Sequence, residues 1–73
     1  MASKGSGGVY KIVDVIGTSP TSWEDAARNA VKTASKSLRD LRIAEVVKLD
    51  VKVEAGKITA FRTRLSLSFK YSA

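Results

Sequence analysis

The residues best suited to bind a ligand form an alternating series near the end of the chain. Five polar residues occupy every second position there: Arg62, Arg64, Ser66, Ser68 and Lys70. Four charged residues follow the same spacing upstream: Lys48, Asp50, Lys52 and Glu54. Guanidinium and ammonium groups beside hydroxyls suit phosphate or carboxylate, so a small anionic ligand is one interpretation. The other is a solvated strand face on which opposite charges pair across the strands.

The chain lacks the side chains on which most enzymes depend. It contains no His and no Cys, which excludes imidazole and thiolate metal sites, the Ser–His pair and the usual neutral-pH base. No two carboxylates stand at a spacing that suits acid–base catalysis, so we predict that the protein is not an enzyme. Calcium remains open, because its ligands are oxygens. The candidate carboxylates are dispersed and would need subunit contacts to bring them together: Asp14, Glu45, Asp50 and Glu54.

A long β-hairpin is predicted to position the polar series. Both of its arms alternate with a period of two, which is typical of half-buried strands. On the first arm the predicted apolar face is interrupted by Glu45 and contains Ile43, Val47, Leu49, Val51 and Val53. On the second arm the apolar face contains Phe61, Leu65, Leu67, Phe69 and Tyr71. The four residues 54–57, with one Gly, are predicted to form the loop.

A strand and a helix are predicted to precede the hairpin. The segment Val9–Ile16 is apolar on both faces, which predicts a strand buried on one side by the helix and on the other by another subunit. The following turn fits a capping box in which Thr21 is the N-cap and Glu24 its partner, and the helix should span residues 22–40. The alternative for this hydroxyl-rich turn is an anion site at the helix N-terminus. Trp23 is interpreted as an anchor in the core or at an interface.

These elements predict an α+β fold with the order β-α-β-β. A three-stranded antiparallel sheet in the spatial order 1-3-2 should pack on one helix, and residues 9–73 should form a single domain. The Gly- and Ser-rich residues 1–8 are predicted to be a disordered lead. A 73-residue chain without disulfides has a thin core and two open sheet edges, so we expect self-assembly. No apolar run is long enough for a membrane helix, so we expect a cytoplasmic protein.

Several stretches of the sequence resemble the dodecin family. They are VYKIVDVIGTSPTSWEDAA from Val9, AEVV from Ala44, GKI from Gly56 and the alternating final strand. The resemblance covers about Val9 to Tyr71. It implies small β-α-β-β subunits that assemble as a hollow homododecamer. It also implies a protein that stores or buffers small molecules without catalysis, in many members flavins stacked in pairs at subunit contacts.

The resemblance also implies where a ligand would bind, at Ile43, Glu45, Arg62 and Arg64. In flavin-binding dodecins a Trp at the start of the second strand stacks on the isoalloxazine ring, and Ile43 stands at that position here. A Gln on the third strand recognises the ring edge, and Arg62 replaces it. Ile43 offers no π-face and Arg62 offers no hydrogen-bond acceptor, so flavin binding is predicted to be weak or lost.

Three interpretations of the function follow. The first is a non-enzymatic dodecin-type protein that binds or stores a small molecule or ion, with calcium as one candidate because some dodecin-like proteins carry calcium instead of flavin. The second is a store for FMN or riboflavin. The third is a basic nucleic-acid-binding module, suggested by the net charge of +6. The third is disfavoured, because the predicted polar strand face carries no pair of aromatic rings for base stacking.

Overall fold

The computed structural model describes residues 8–71, which form a three-stranded sheet and one helix. Strand β1 spans Val9–Ser19, helix α1 Trp23–Ala34, strand β2 Leu41–Glu54 and strand β3 Lys57–Tyr71. Strand β3 lies in the middle of the sheet and pairs antiparallel with both β1 and β2. This confirms the predicted α+β fold, with the order β-α-β-β and the spatial strand order 1-3-2.

The ends of the chain fall outside this description. Apart from Gly8, the predicted disordered lead is not among the described residues, and neither are the last two residues of the predicted domain 9–73. Within the described part, no helix is long and apolar enough to cross a membrane, since α1 has only 12 residues.

Helix α1 begins one residue later than its predicted cap. The hydroxyl of Ser22 accepts a hydrogen bond from the backbone N–H of Asp25 at 3.0 Å, so Ser22 is the N-cap. The predicted capping box with Thr21 as N-cap is wrong by one residue, because Ser22 and Asp25 repeat the same three-residue spacing. The Ser19 hydroxyl lies 2.9 Å from that of Thr21 and donates to the Asp25 carboxylate at 2.7 Å. The turn is therefore a capped helix start whose hydroxyls already face a carboxylate.

The helix ends at Ala34 and not at the predicted Asp40. The backbone N–H of Ser37 donates to the carbonyl of Ala34, three residues back, as in a 3₁₀ turn. Ser35 and Ser37 interrupt the run of helix-forming residues, and serine hydroxyls compete for backbone groups. Asp40 has a φ of 56°, in the left-handed region, which an α-helix cannot accommodate.

The core lies between α1 and the strands β1 and β3. Leu65 and Leu67 are only 1% and 0% exposed and form one cluster with Ala30 of the helix. Gly17 allows the helix to approach closely: a Cβ there would overlap the carbonyl oxygen of Ala26 and lie 2.8 Å from the Cβ of Ala30. The absence of a side chain on β1 at this point therefore sets the distance between helix and sheet.

Trp23 fastens the start of α1 to the hairpin. Its ring packs edge-to-face on Phe61, with the centroids 5.2 Å apart and an interplanar angle of 81°. The indole N–H donates to the carbonyl oxygen of Asp50 at 3.0 Å. The residue is still 37% exposed, so its own chain covers it only in part. Within one chain Trp23 is an anchor at the edge of the core and not a fully buried core residue.

The hairpin turn is tighter than predicted. It consists of Ala55 and Gly56 alone, which have positive φ values of 51° and 76°. Glu54 and Lys57 pair with each other as the last residues of their strands. The predicted four-residue loop is therefore too long by two residues, because consecutive positive φ values let a two-residue turn follow the twist of the strands.

A β-bulge interrupts the alternation of β2 at Val47. Val46 is the partner of Leu65 on β3. The next pair is Lys48 and Arg64, so Val47 is an extra residue on β2. An extra residue exchanges the two faces of a strand, because its side-chain period is two.

Because of the bulge, the residues of β2 before Val47 face the opposite side of the sheet from the side predicted. Residues directly opposite each other share a face of the sheet. Ile43 is the partner of Ser68, and both face away from the helix. Glu45 is the partner of Ser66 on that same side. The predicted apolar face that joined Ile43 and Val47 to the later residues of β2 is therefore wrong upstream of the bulge.

The helix covers only part of the sheet. Twelve helical residues are about 18 Å long, whereas the fifteen residues of β3 extend over about 50 Å. The radius of gyration of 15.3 Å exceeds the about 11 Å of a compact chain of this length. Among residues 8–71, seven large apolar residues are more than half exposed: Val9, Ile12, Ile43, Val46, Val47, Val53 and Ile58. The second cover predicted for β1 is therefore not supplied by its own chain.

Candidate ligand-binding face

The side of the sheet that faces away from α1 is here called the open face. Four rows of side chains cross it, each with one residue from β1, β3 and β2 in that order. The rows are Ile12–Ser68–Ile43, Asp14–Ser66–Glu45, Ile16–Arg64–Lys48 and Thr18–Arg62–Asp50. The second is called the acidic row and the third the basic row.

All four residues predicted to bind a ligand lie on the open face: Ile43, Glu45, Arg62 and Arg64. The sequence pattern predicts the first two and the last two on opposite sides of the hairpin. The bulge at Val47 brings them together, because it exchanges the faces of β2 ahead of Lys48. The sequence feature that indicates this bulge is the pair of consecutive valines Val46 and Val47, which interrupts the alternation of side chains along β2.

Arg62 is held by an ion pair with Asp50 across the strands. Its Nε donates to Oδ1 of Asp50 at 2.7 Å and its Nη2 to Oδ2 at 3.1 Å, a two-point contact. This hydrogen bonding holds the pKa of Asp50 below its ordinary value, and the charges of Arg62, Lys48 and Arg64 lower it further. The same contact raises the pKa of Arg62. Arg62, which the resemblance places at a ring-recognition position, therefore already has a partner in its own chain.

The basic row contains two cations that face each other. Lys48 and Arg64 stand directly opposite each other with the same charge. They line a small cavity of about 180 Å³ together with Ile16, Asp50 and Arg62. Among residues 8–71, neither cation lies within ion-pair distance of a carboxylate.

The acidic row places two carboxylates on either side of a hydroxyl. Asp14 and Glu45 are both register partners of Ser66 and lie two strand spacings apart, about 9–10 Å between their backbones. Neither forms an ion pair within the described part of the chain. The same part holds no group of three acidic residues close enough to bind a metal ion. One chain can therefore provide only some of the ligands of a calcium site.

The other two candidate carboxylates already form ion pairs within the chain. Asp50 pairs with Arg62 as described, and Glu54 lies 3.5 Å from the ammonium group of Lys52. Sequence reasoning could not separate them from the acidic row, because the pairing depends on the strand register.

The chain's single Trp does not lie on the open face. Trp23 packs on Phe61, which belongs to the helix-facing side as the partner of Ser19. Ile43, the position that the resemblance assigns to a stacking ring, is 61% exposed and shares its row with Ile12. The open face thus offers an aliphatic surface at this position and no π-system from Trp23.

A larger groove lies on the other side of the sheet, between β1 and α1. It has a volume of about 670 Å³, and its lining includes Val13, Val15, Ala34 and Leu38. The groove borders the free edge of β1, so an apolar surface and unpaired backbone groups lie next to each other there.

Comparison with known proteins gives consistent results. The Dodecin family model matches residues 9–72. The chain is 56% identical over 63 residues to calcium dodecin of Mycobacterium tuberculosis, across 85% of this chain and 87% of that protein.

Solved structures show the same fold. A dodecin from Streptomyces coelicolor superposes with a TM-score of 0.87 at 35% identity, across 93% of this chain and 97% of that chain. The calcium-chelating antigen calcium dodecin of Mycobacterium tuberculosis, described with a novel calcium-binding site, superposes with a TM-score of 0.78 at 51% identity, across 88% and 91%. A protein from Thermus thermophilus superposes with a TM-score of 0.84 at 30% identity, across 92% and 98%.

Proposed function

The chain belongs to the dodecin family, and we propose that it is a non-enzymatic homododecamer that binds and stores calcium ions, with flavin binding weak or lost. The acidic row carries this proposal, because Asp14 and Glu45 flank the Ser66 hydroxyl without an ion-pair partner in residues 8–71. A relative with 56% identity is named calcium dodecin, which supports calcium as the ligand.

The number of oxygens that calcium requires connects the site to assembly. Calcium takes six to eight oxygen ligands, and carboxylates can supply two each. Asp14, Glu45 and the Ser66 hydroxyl together supply too few oxygen atoms to complete the coordination shell of one calcium ion. The remaining ligands would come from waters and from the acidic row of a neighbouring subunit. We therefore expect calcium affinity to depend on assembly.

Several features of the single chain support self-assembly. In the described part of the chain seven large apolar residues are more than half exposed, and the helix covers about a third of the length of β3. The edges of β1 and β2 are open, and the groove beside β1 is apolar. Surfaces of this kind are typical of chains that bury them against copies of themselves. The hollow dodecamer of the family is the arrangement we propose.

Flavin storage is the second candidate, and two contacts disfavour it. Ile43 replaces the stacking ring, which removes an interaction of roughly 0.5–1.5 kcal/mol beyond simple burial. Arg62, at the position of the ring-recognising Gln, directs two of its donors to Asp50. A flavin would have to compete with that ion pair.

Two further expectations remain predictions: that the protein is cytoplasmic, and that it does not bind nucleic acid.

A calcium titration of the assembled, chelator-treated protein tests the proposal. Wild type should bind calcium, and the Asp14→Asn and Glu45→Gln variants should each weaken binding by at least about tenfold, because each loses a charged oxygen ligand. Glu24→Gln, at an exposed position on α1, is the matched control and should bind as wild type does. Calcium binding that survives both open-face substitutions would refute the proposed site.

A further inference from the structure

The acidic row and the basic row are direct neighbours on the open face. Their central residues on β3, Ser66 and Arg64, are two positions apart, which is about 7 Å along a strand. The Debye length at physiological ionic strength is about 8 Å. The charges of the two rows are therefore close enough to influence each other in solution.

The basic row keeps both of its positive charges. Lys48 and Arg64 are register partners, and both are exposed. Of the ion pairs formed by residues 8–71, none includes either of them. Two positive charges thus stand beside the two negative charges of Asp14 and Glu45.

The row on the far side of the basic row is neutral. Arg62 donates to both carboxylate oxygens of Asp50, at 2.7 and 3.1 Å, so its charge is offset within its own row. That row also lies twice as far from the acidic row, at about 14 Å along β3. Among the four rows of the open face, the basic row is thus the one that carries a net positive charge.

We propose that Lys48 and Arg64 set the calcium affinity of the acidic row, because their charges repel a divalent cation held there. This inference rests on the proposed calcium function and names residues that tune the site without contacting the ion. Coulomb repulsion is proportional to the charge of the ion, so it acts twice as strongly on Ca²⁺ as on a monovalent cation. At about 7–8 Å in water, each cation weakens calcium binding by about three- to tenfold.

This repulsion suits a protein that stores calcium and releases it. The affinity of calcium sites in proteins is tuned by the number of charged ligands. Two carboxylates opposed by two adjacent cations form a weaker site than the same carboxylates alone. Such a site fills when calcium is abundant and empties when the concentration of calcium falls.

Calcium titration of the assembled, chelator-treated protein at low and at physiological salt tests the inference. Lys48→Gln and Arg64→Gln should each strengthen calcium binding by about three- to tenfold at low salt, and salt should reduce the gain by screening the charges. Lys48→Arg and Arg64→Lys keep the charge and should bind calcium as wild type does. Lys52→Gln is the matched control, because Lys52 lies three rows from the acidic row, about 20 Å along the strand, and pairs with Glu54 at 3.5 Å. It should leave calcium affinity unchanged.

The outcomes separate this inference from the proposed function. Unchanged or weaker calcium binding by both glutamine variants of the basic row would overturn the inference. If Asp14→Asn still weakened binding in that case, the proposed calcium site would be unaffected. An equal gain in Lys52→Gln would indicate an effect of net charge alone, and a gain that salt did not reduce would indicate a structural cause, so either would overturn the inference. A wild-type protein that bound no calcium would refute the proposed function and this inference together.

Discussion

On the helix-facing side of the sheet, Leu65 and Leu67 are buried under Ala30, whereas on the open face Ile12 and Ile43 are more than half exposed. The first side is covered in part by its own chain, through α1. The second presents apolar residues at one end and charged rows at the other, and nothing within residues 8–71 covers it. The helix-facing side is therefore where one chain obtains its stability, and the open face is where partners and ligands can act.

The largest effect is expected from a side chain inserted between helix and sheet. Gly17→Val should prevent α1 from docking, because even a Cβ at this position overlaps the Ala26 carbonyl oxygen. We expect loss of helical circular dichroism and of assembly. Thr18→Val is the matched control, since Thr18 lies next to Gly17 but points to the open face. If Gly17→Val folded and melted as wild type does, the close contact of helix and sheet would be wrong.

A smaller loss of stability is expected at Trp23. A fully buried Trp would cost about 3–5 kcal/mol on truncation to Ala. Because Trp23 is 37% exposed in one chain, we expect the lower end of that range, about 3 kcal/mol, unless a neighbouring subunit covers it. Urea unfolding gives the value. Trp23→Phe retains an aromatic ring beside Phe61 but loses the hydrogen bond to the carbonyl oxygen of Asp50. Normal stability of Trp23→Ala with loss of a bound ligand would show that the residue serves the ligand and not the core.

The element order and the strand order could be predicted from the sequence, because each rests on local patterns that the structure preserves. The Ala-rich helix pattern and the period-two arms of the hairpin are of this kind. The cap was misplaced because Thr21 and Ser22 both have an acidic residue three positions on, and only geometry distinguishes them. The open face could be predicted along β3 and at Lys48 and Asp50. The part of β2 ahead of Val47 could not, because the bulge there depends on how β2 pairs with β3.

The open face should respond to substitution in ligand binding and not in fold. Ile43→Trp together with Arg62→Gln restores the family's flavin pattern, and riboflavin affinity should rise by about tenfold to a few hundredfold. Fluorescence quenching of riboflavin measures the change. In wild type, FMN should bind better than riboflavin, because Lys48 and Arg64 can attract its phosphate. Sub-micromolar riboflavin binding by wild type would contradict the role given to Ile43, and an assembled double variant that ignored flavin would contradict the assignment of both positions.

The smallest effect is expected from the ion pair between Asp50 and Arg62. The folded-state pKa of Asp50 lies below its ordinary value, so its contribution to stability is present above the unfolded pKa of about 3.9. That contribution is lost as the pH falls through the lowered folded-state pKa. Arg62→Gln should therefore be less stable than wild type at pH 7, and the difference should disappear in acid. Urea midpoints measured from neutral to acid pH would show it, and a difference that grew on acidification would refute the ion-pair explanation.

Native mass spectrometry with and without calcium tests both the assembly and the acidic row. Wild type should appear at twelve times the 7.8 kDa chain mass, about 94 kDa, and should gain mass in steps of one calcium ion. The Asp14→Asn, Glu45→Gln double variant should keep the same assembly mass and lose those steps. A 7.8 kDa monomer, or a double variant that takes up calcium as wild type does, would contradict the proposal that the acidic row holds calcium in an assembly.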